Sequence, residues 1–344
     1  MINQGDISVI SDLFNRLLPT VRDRYTCGKK CNLSDIEKIY SGRISDVWLG
    51  TFKFEEKNIK VAIKINKYIK TSTPRNLSDI TIKEYKTLEL VSSLMDQHSK
   101  YTKLEPIALF QDDYAFAVKF IGGSNLRDII ANIRLWDSSN FRTAKRMINL
   151  CGSWLDMFQR SSLPSKPVHL SRNEIEKYDI ELVASKAKSA GFDSQLLNKS
   201  VDVANKLKSR FMKRSVVSVH GDFLPWNILG TQNNVAVIDF RHYHLGDAYE
   251  DLSLMYEQII ANSRPWRHKG SLEELRQELL VGYQSPLETF NWLFWRIRSL
   301  LYLMGMLRPS QSRKLLQRLS VEYAGNNYES ELKQILIEAE DRIS

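Results

Sequence analysis

Three side chains, set close together in the chain, suggest a reaction. The run Val219-His220-Gly221-Asp222-Phe223-Leu224-Pro225-Trp226-Asn227 places a carboxylate and an amide five residues apart. Twelve residues later Asp239 follows, in Val237-Ile238-Asp239-Phe240. Asp222 comes after an apolar stretch and before a loop containing proline. A carboxylate on a loop beside a buried strand can accept a proton from a hydroxyl. Asn227 offers a neutral oxygen on the same loop, and Asp239 ends the apolar run Val235-Ala236-Val237-Ile238. An amide oxygen and a carboxylate together make a hard-oxygen site suited to Mg²⁺, with phosphate oxygens completing the octahedron. One carboxylate for the proton and an Asn–Asp pair for the metal are the equipment of phosphoryl transfer. Each residue alone could cap a turn. Ordered at these spacings behind a strand-rich segment, the set points to chemistry.

Those side chains need elements to hold them. The spacing of Ile7, Ile10, Leu13, Phe14 and Leu17 predicts a helix over 6–18. Residues 38–120 read as strand-rich, with strands at 38–40, 47–54 and 60–65, a helix at 76–97, and a hairpin of 107–110 with 114–120. Ile121-Gly122-Gly123-Ser124 is a glycine-rich break. Beyond it helices are predicted at 125–134, 140–160, 172–190, 194–213, 248–262, 272–283, 286–307, 310–323 and 328–342, interrupted by one β element from Val216 to Phe240. The fold class expected is α+β. Its parts are an N-terminal helical extension (1–35), a nucleotide-binding lobe (36–121) and a catalytic, substrate-binding lobe (122–344), with a hinge near 122. Boundaries between lobes are where ligands bind.

The series His220, Gly221, Asp222 and Asn227, then Ile238 and Asp239, then Gly246, Asp247, Asp251 and Leu252 resembles the aminoglycoside phosphotransferase family of the protein-kinase-like superfamily. The likeness covers about residues 36–320, and the C-terminal motifs are its specific part. It implies a bilobal protein-kinase-like fold: a small antiparallel N-lobe sheet with an αC helix, and a mainly helical C-lobe. It also implies ATP or GTP with Mg²⁺, and transfer of the γ-phosphoryl to a hydroxyl of a small molecule. By carry-over Asp222 is the catalytic base, and Asn227 and Asp239 hold the metal. Val61-Ala62-Ile63-Lys64 resembles the kinase strand whose lysine pairs with the α- and β-phosphates. Glu84, twenty residues on, fits the αC partner of Lys64, with Glu89 as its competitor. The stretch Gly42 to Gly50, with Ser45 at its tip, stands where the nucleotide loop belongs, although it lacks the full glycine pattern. Ile121 lies in the segment expected to meet adenine through its backbone. Arg241, His242 and His244, just past Asp239, could reach a substrate. His220 is expected to brace the loop, and Asp247 and Asp251 to cap or fix it. Asp239-Phe240-Arg241 lacks the glycine of protein kinases, and Leu224 stands where their Ser/Thr branch carries lysine. Both departures favour a small-molecule acceptor over a protein. An inactive nucleotide-binding module would not need all of Lys64, Asp222, Asn227 and Asp239.

Composition narrows the partners. The chain has 344 residues, 43% of them hydrophobic and 26% charged, which fits a globular protein with a core of its own. Forty-nine basic against 40 acidic residues give +9, which favours anionic partners such as nucleotides. It counts against a cationic aminoglycoside, and a sugar or glycan terminus is the first acceptor expected. Nucleic acid is not expected, because no basic strand interleaved with aromatics accompanies the charge. Three cysteines exclude a disulfide framework, and Cys27 with Cys31 lacks the second pair a zinc site needs. With no signal-like start and no uncharged run of membrane length, the expected location is cytoplasmic. Two features keep peripheral contact with the inner membrane face open. One is the basic stretch 172–214, with Lys177, Lys186, Lys188, Lys199, Lys206, Lys208, Arg210, Lys213 and Arg214. The other is the aromatic helix 286–307, whose start reads as a capping box of Ser285 and Glu288.

Overall fold

The computed structural model describes residues 4–26, 28–55, 57–67, 73–96, 98, 100–133, 138–161, 179–210, 216–230, 234–261, 269–307 and 315–344. The chain forms two compact units. One comprises Met1–Gly123 with Ile238–Arg241, the other Ser124–Val237 with His242–Ser344.

The first unit contains helix α1 (Gln4–Tyr25), strands β1 (Asn32–Ser41), β2 (Ser45–Phe54) and β3 (Lys57–Asn66), helix α2 (Pro74–Met95), and strands β4 (Pro106–Phe110) and β5 (Ala115–Lys119). The strands form one antiparallel sheet in the order β1-β2-β3-β5-β4. Alternation along β3 puts Val61 and Ile63 into the core with α1, so Lys64 faces the other way. Thr73 caps α2 by accepting the Asn76 N–H, and Pro74 occupies its first turn, where the missing donor costs nothing. Leu77, Thr81, Glu84, Leu88, Val91 and Met95 form the buried stripe of α2. Glu84 lies within that stripe and Glu89 outside it.

The helix predicted over 6–18 extends to Tyr25, through Pro19. Proline disfavours a helix interior, but a packed apolar face carries this helix past it. Ile10, Leu13, Phe14, Leu17 and Val21 are buried against Trp48, Phe52, Ile63 and Phe110. Phe14 fills the space over Gly50, where a Cβ would lie 2.3 Å from the ring. Residues 4–25 are therefore not an appendage to the sheet; they cover its apolar face. Cys31 belongs to the same core, and Cys27 lies outside the described residues.

The second unit begins with β6 (Ser124–Asn125), α3 (Leu126–Ala131), α4 (Ser138–Ser161), α5 (Ile180–Ser189) and α6 (Ser194–Lys208). It continues with β7 (Val217–Val219), β8 (Ile228–Gly230), β9 (Val235–Val237) and β10 (His244–Gly246), and closes with α7 (Tyr249–Ala261), α8 (Lys269–Gly282), α9 (Thr289–Met306) and α10 (Leu315–Ile343). β8 pairs with β6 and β9, and β10 pairs with β7, all antiparallel. These short ladders fix both ends of the loop that carries Asp222.

Two expectations for this unit need correction. The helices expected at 310–323 and 328–342 are one helix, α10, because Ala324, Tyr328, Leu332, Ile335 and Ala339 form a continuous buried stripe that outweighs the weak helix formers at 325–327. The aromatic helix starts at Thr289, not 286. Its cap is Glu288, which accepts the Phe290 and Asn291 N–H groups at 3.1 and 2.8 Å, while Ser285 bonds Asp156 instead. The helix is a core element: Leu293, Phe294, Trp295, Ile297, Leu300, Leu301 and Met304 are all buried. Among the described residues no helix is long and apolar enough to cross a membrane.

Arg296 of α9 is buried in a network spanning four helices. Its Nε donates to Glu257 Oε1 at 2.6 Å and its Nη2 to Glu331 Oε1 at 2.7 Å. Arg276 bonds the same two carboxylates, at 2.7 Å to Glu331. Two cations balance two anions, and the Tyr256 ring lies 4.4 and 4.9 Å from the two guanidinium groups. Removing any one partner would strand a buried charge.

The packing of α1 gives a test. Phe14→Ala should cost about 3–5 kcal/mol through lost burial and a cavity, read as an earlier urea transition of the first unit. A loss under about 1 kcal/mol would show that α1 is dispensable to that core.

Candidate active site

The first unit gathers Lys64, Glu84 and Asp239. Lys64 Nζ lies 2.7 Å from Glu84 Oε1 and 2.7 Å from Asp239 Oδ1. The lysine reaches this point from the third strand, the glutamate from the buried stripe of α2, and the aspartate from the segment Ile238–Arg241, which joins this unit although the chain on both sides belongs to the other. Burial works to lower the Lys64 pKa, but the charges of Glu84 and Asp239 outweigh it and hold it above the ordinary value. Burial raises Glu84, and Lys64 offsets only part of this while Asp239 adds repulsion. One cation serves two carboxylates, so the shortfall falls on the more deeply buried one. Glu84 Oε2 has no hydrogen-bond partner. Asp239 has φ 66°, a left-handed conformation that is uncommon for a side chain with a Cβ. Such outliers are held in place by their surroundings and concentrate at functional sites; here the Lys64 ion pair does part of the holding.

The hairpin between β1 and β2 is shorter than the sequence suggested. Gly42 N–H donates to the Ser45 carbonyl at 2.9 Å, so Ser45 opens β2 and is buried, not placed at the tip. Sequence reasoning missed what fixes this loop. Lys67 N–H donates to Ile44 O at 2.8 Å, while Lys67 Nζ bonds Asp46 Oδ1 at 2.6 Å and the Gly42 carbonyl at 3.1 Å. Burial works to raise the Asp46 pKa, but Lys67, Ser41 and Lys38 together hold it below its usual value. The signal available was the pairing of Ser45 with Asn66, which puts residue 67 beside the turn. Arg241, expected near a substrate, is engaged within this unit: its Nη1 approaches Ile44 O at 3.4 Å and Asn66 Oδ1 at 3.5 Å. Past β5 the Phe120 N–H donates to Lys60 O, whereas among the described residues no backbone carbonyl takes the Ile121 N–H. That donor suits a heterocycle nitrogen.

The second unit holds Asp222 and Asn227. Asn227 Nδ2 donates to the Asp222 carbonyl at 2.9 Å and to Asp222 Oδ2 at 2.8 Å. These two acceptors fix which way the amide faces, turning its carbonyl oxygen away from Asp222. The carboxylate is oriented by the same bonds. Two further residues hold the loop. His220 Nδ1 accepts the Asp222 N–H at 3.2 Å. Asp251, at the start of α7, accepts the N–H groups of His220 at 2.6 Å and Gly221 at 2.9 Å. Gly221 has φ +79°, and a Cβ there would lie 2.4 Å from the His242 carbonyl, so only glycine fits. Asp247 accepts the Tyr249 N–H at 2.8 Å, bracing the start of α7. The His244 ring is occupied by protein contacts: Nδ1 lies 2.9 Å from the His242 backbone carbonyl and Nε2 lies 3.1 Å from Glu250 Oε2. Burial and the charge of Asp222 raise the Tyr302 pKa, which brings α9 within electrostatic reach of the loop.

Asp239 in the first unit and Asn227 in the second each carry a hard oxygen of the kind Mg²⁺ prefers. Among the described residues no group of three His, Cys, Asp or Glu side chains forms a self-contained metal cage.

A family model described as the phosphotransferase enzyme family matches residues 104–296, more than half of the chain. The chain belongs to this family. The match spans the Asp222 loop and Asp239 but begins after Lys64 and Glu84, whose assignment stands on geometry. Solved structures share the fold across nearly the whole chain. A choline kinase from Cryptosporidium parvum Iowa II is 15% identical with a TM-score of 0.56, covering 96% of this chain and 97% of its own. A spectinomycin phosphotransferase in complex with ADP and spectinomycin is 16% identical with a TM-score of 0.55, covering 95% and 98%. An amicoumacin kinase in complex with AMP-PNP and Ca²⁺ is 15% identical with a TM-score of 0.50, covering 86% and 88%. Comparison with curated proteins gives no match. These likenesses establish a protein-kinase-like fold.

Asp251 supplies the prediction. Burial, then the charge of Glu250, pushes its carboxyl up to about 7, against the pull of the two N–H donors. Its folded pKa exceeds its unfolded value, so its contribution to stability is present at acid pH and is lost as pH rises through about 7. The backbone amide shifts of His220 and Gly221 should titrate together with a midpoint near 7. A shared midpoint below 5 would contradict this.

Proposed function

We propose that the protein transfers the γ-phosphoryl of ATP, or GTP, to a hydroxyl of a small molecule, and that the acceptor is a sugar or a glycan terminus. The observation that carries the reading is the buried lysine shared by Glu84 and Asp239, which prepares one cation for phosphates and one carboxylate for a metal.

In this reading Lys64 and the clamped 42–46 loop hold the triphosphate. Gly42 lets the backbone approach closely, Ser45 contributes its N–H or hydroxyl, Glu84 keeps Lys64 oriented, and Ile121 meets the base. Asn227 and Asp239 hold Mg²⁺, which when bound neutralises charge on the phosphate oxygens. Asp222, pinned by Asn227 Nδ2, orients the acceptor hydroxyl and takes its proton as the phosphoryl group moves in line. Arg241 and His244 are engaged by other groups of the protein, so the acceptor role is left to His242 among the three.

The charge of +9 disfavours a cationic drug as acceptor. The membrane-surface reading loses its main support with the burial of the aromatic helix. Part of the basic stretch is also committed to packing: Lys199 pairs with Glu340 at 2.8 Å, and Arg210 caps the last carbonyls of α10. Lys177, Lys213 and Arg214 lie outside the described residues.

Asp222→Asn should reduce turnover by about 10²–10⁴-fold or more, the range for a general base, while leaving nucleotide binding intact. Asp239→Ala should impair both. Coupled release of nucleoside diphosphate over a panel of sugars, with calorimetric nucleotide binding, reads both effects. Full activity in either variant would reject these roles, and release stimulated only by cationic acceptors would reject the sugar.

A further inference from the structure

His244 sits between two groups that can only accept. Nδ1 faces the His242 carbonyl at 2.9 Å, and Nε2 faces the Glu250 carboxylate at 3.1 Å. A neutral imidazole has one N–H, so it would leave one of these contacts as lone pair against lone pair. Only the doubly protonated ring donates to both.

The two contacts belong to a closed circuit around the catalytic loop. The His242 carbonyl abuts Gly221 so closely that no Cβ fits between them. Glu250 is followed by Asp251, which holds the N–H groups of His220 and Gly221. The ring therefore joins the chain that leaves Asp239 to the helix that grips the backbone before Asp222. We propose that His244 is a cationic positioning residue: as an imidazolium it locks the His242 segment to Glu250 and so sets the placement of the Asp222 loop.

Helix α7 presents Glu250 and Asp251 to the ring, and β7 pairs with the His244 strand through Val219. Tyr302 of α9 is linked through Glu250. Burial opposes the charged ring, but Glu250 and the His242 carbonyl outweigh it and raise the pKa above 6.5. The lock is present below that raised value and is lost as pH climbs through it.

The kinetic part of this inference rests on the phosphotransferase reading; the charge state does not. In ¹⁵N-histidine spectra of the intact, nucleotide-free chain, the ring signals missing from His244→Gln should show both nitrogens protonated up to a higher pH than a free imidazole. A His244 ring that loses its second proton at or below the pH at which a free imidazole does would overturn the proposal, whatever the enzyme does. In kinetics, His244→Gln should lower kcat about ten-fold, leave nucleotide KM within about two-fold, and abolish the alkaline fall of kcat seen in the parent. An unchanged kcat–pH profile in the variant would equally overturn it. A parent chain inactive with every acceptor would sink the function while the spectra still decide the ring's charge.

Discussion

The arrangement depends on one buried cation between two carboxylates. Taking Lys64 and Glu84 out of water costs several kcal/mol for each ion, and the pairing repays this only with close geometry, while Asp239 stays partly exposed. The geometry is close, at 2.7 Å on both sides. It holds only if β3 keeps its register, α2 keeps its cap, and the Asp239 segment keeps its left-handed backbone. The cluster is also unbalanced, with an unpartnered oxygen on Glu84. In the proposed function that imbalance would be useful, since Asp239 would help hold a metal and Lys64 would face phosphates.

The second unit solves a different problem, that of holding a reactive carboxylate on a loop without blocking it. Asn227 spends its amide nitrogen on Asp222, and this leaves the amide oxygen directed elsewhere. Asp251 grips the loop from behind through two N–H groups, and Gly221 admits the tight contact with His242. The loop is set by backbone bonds on one side and one side-chain amide on the other. This is the kind of support that keeps a reacting group within a fraction of an ångström.

The spacing of Asp222, Asn227 and Asp239, and the pairing of Lys64 with Glu84, were legible because local rules governed them. A strand–loop–strand carries the first set, and Glu84 sits in the apolar stripe of α2 where Glu89 does not. What stayed hidden came from long-range packing. The helix expected over 6–18 runs on through Pro19 to Tyr25 because its apolar face covers the sheet. Ser285 looked like a cap until Asp156 claimed it. Arg296 finds its partners Glu257 and Glu331 on other helices. Lys67 gave no motif to notice, and its value comes from the register of β2 with β3. His244 looked like a free loop histidine because Glu250 gives no sign of its direction in the sequence.

Calorimetric titration of ATP into the intact chain tests the central claim most directly. Binding should be at least ten-fold tighter with Mg²⁺ than with a chelator, since in the proposed function Asp239 would help hold the metal beside the phosphates. Affinity that is indifferent to Mg²⁺, or no binding of triphosphate at all, would contradict it.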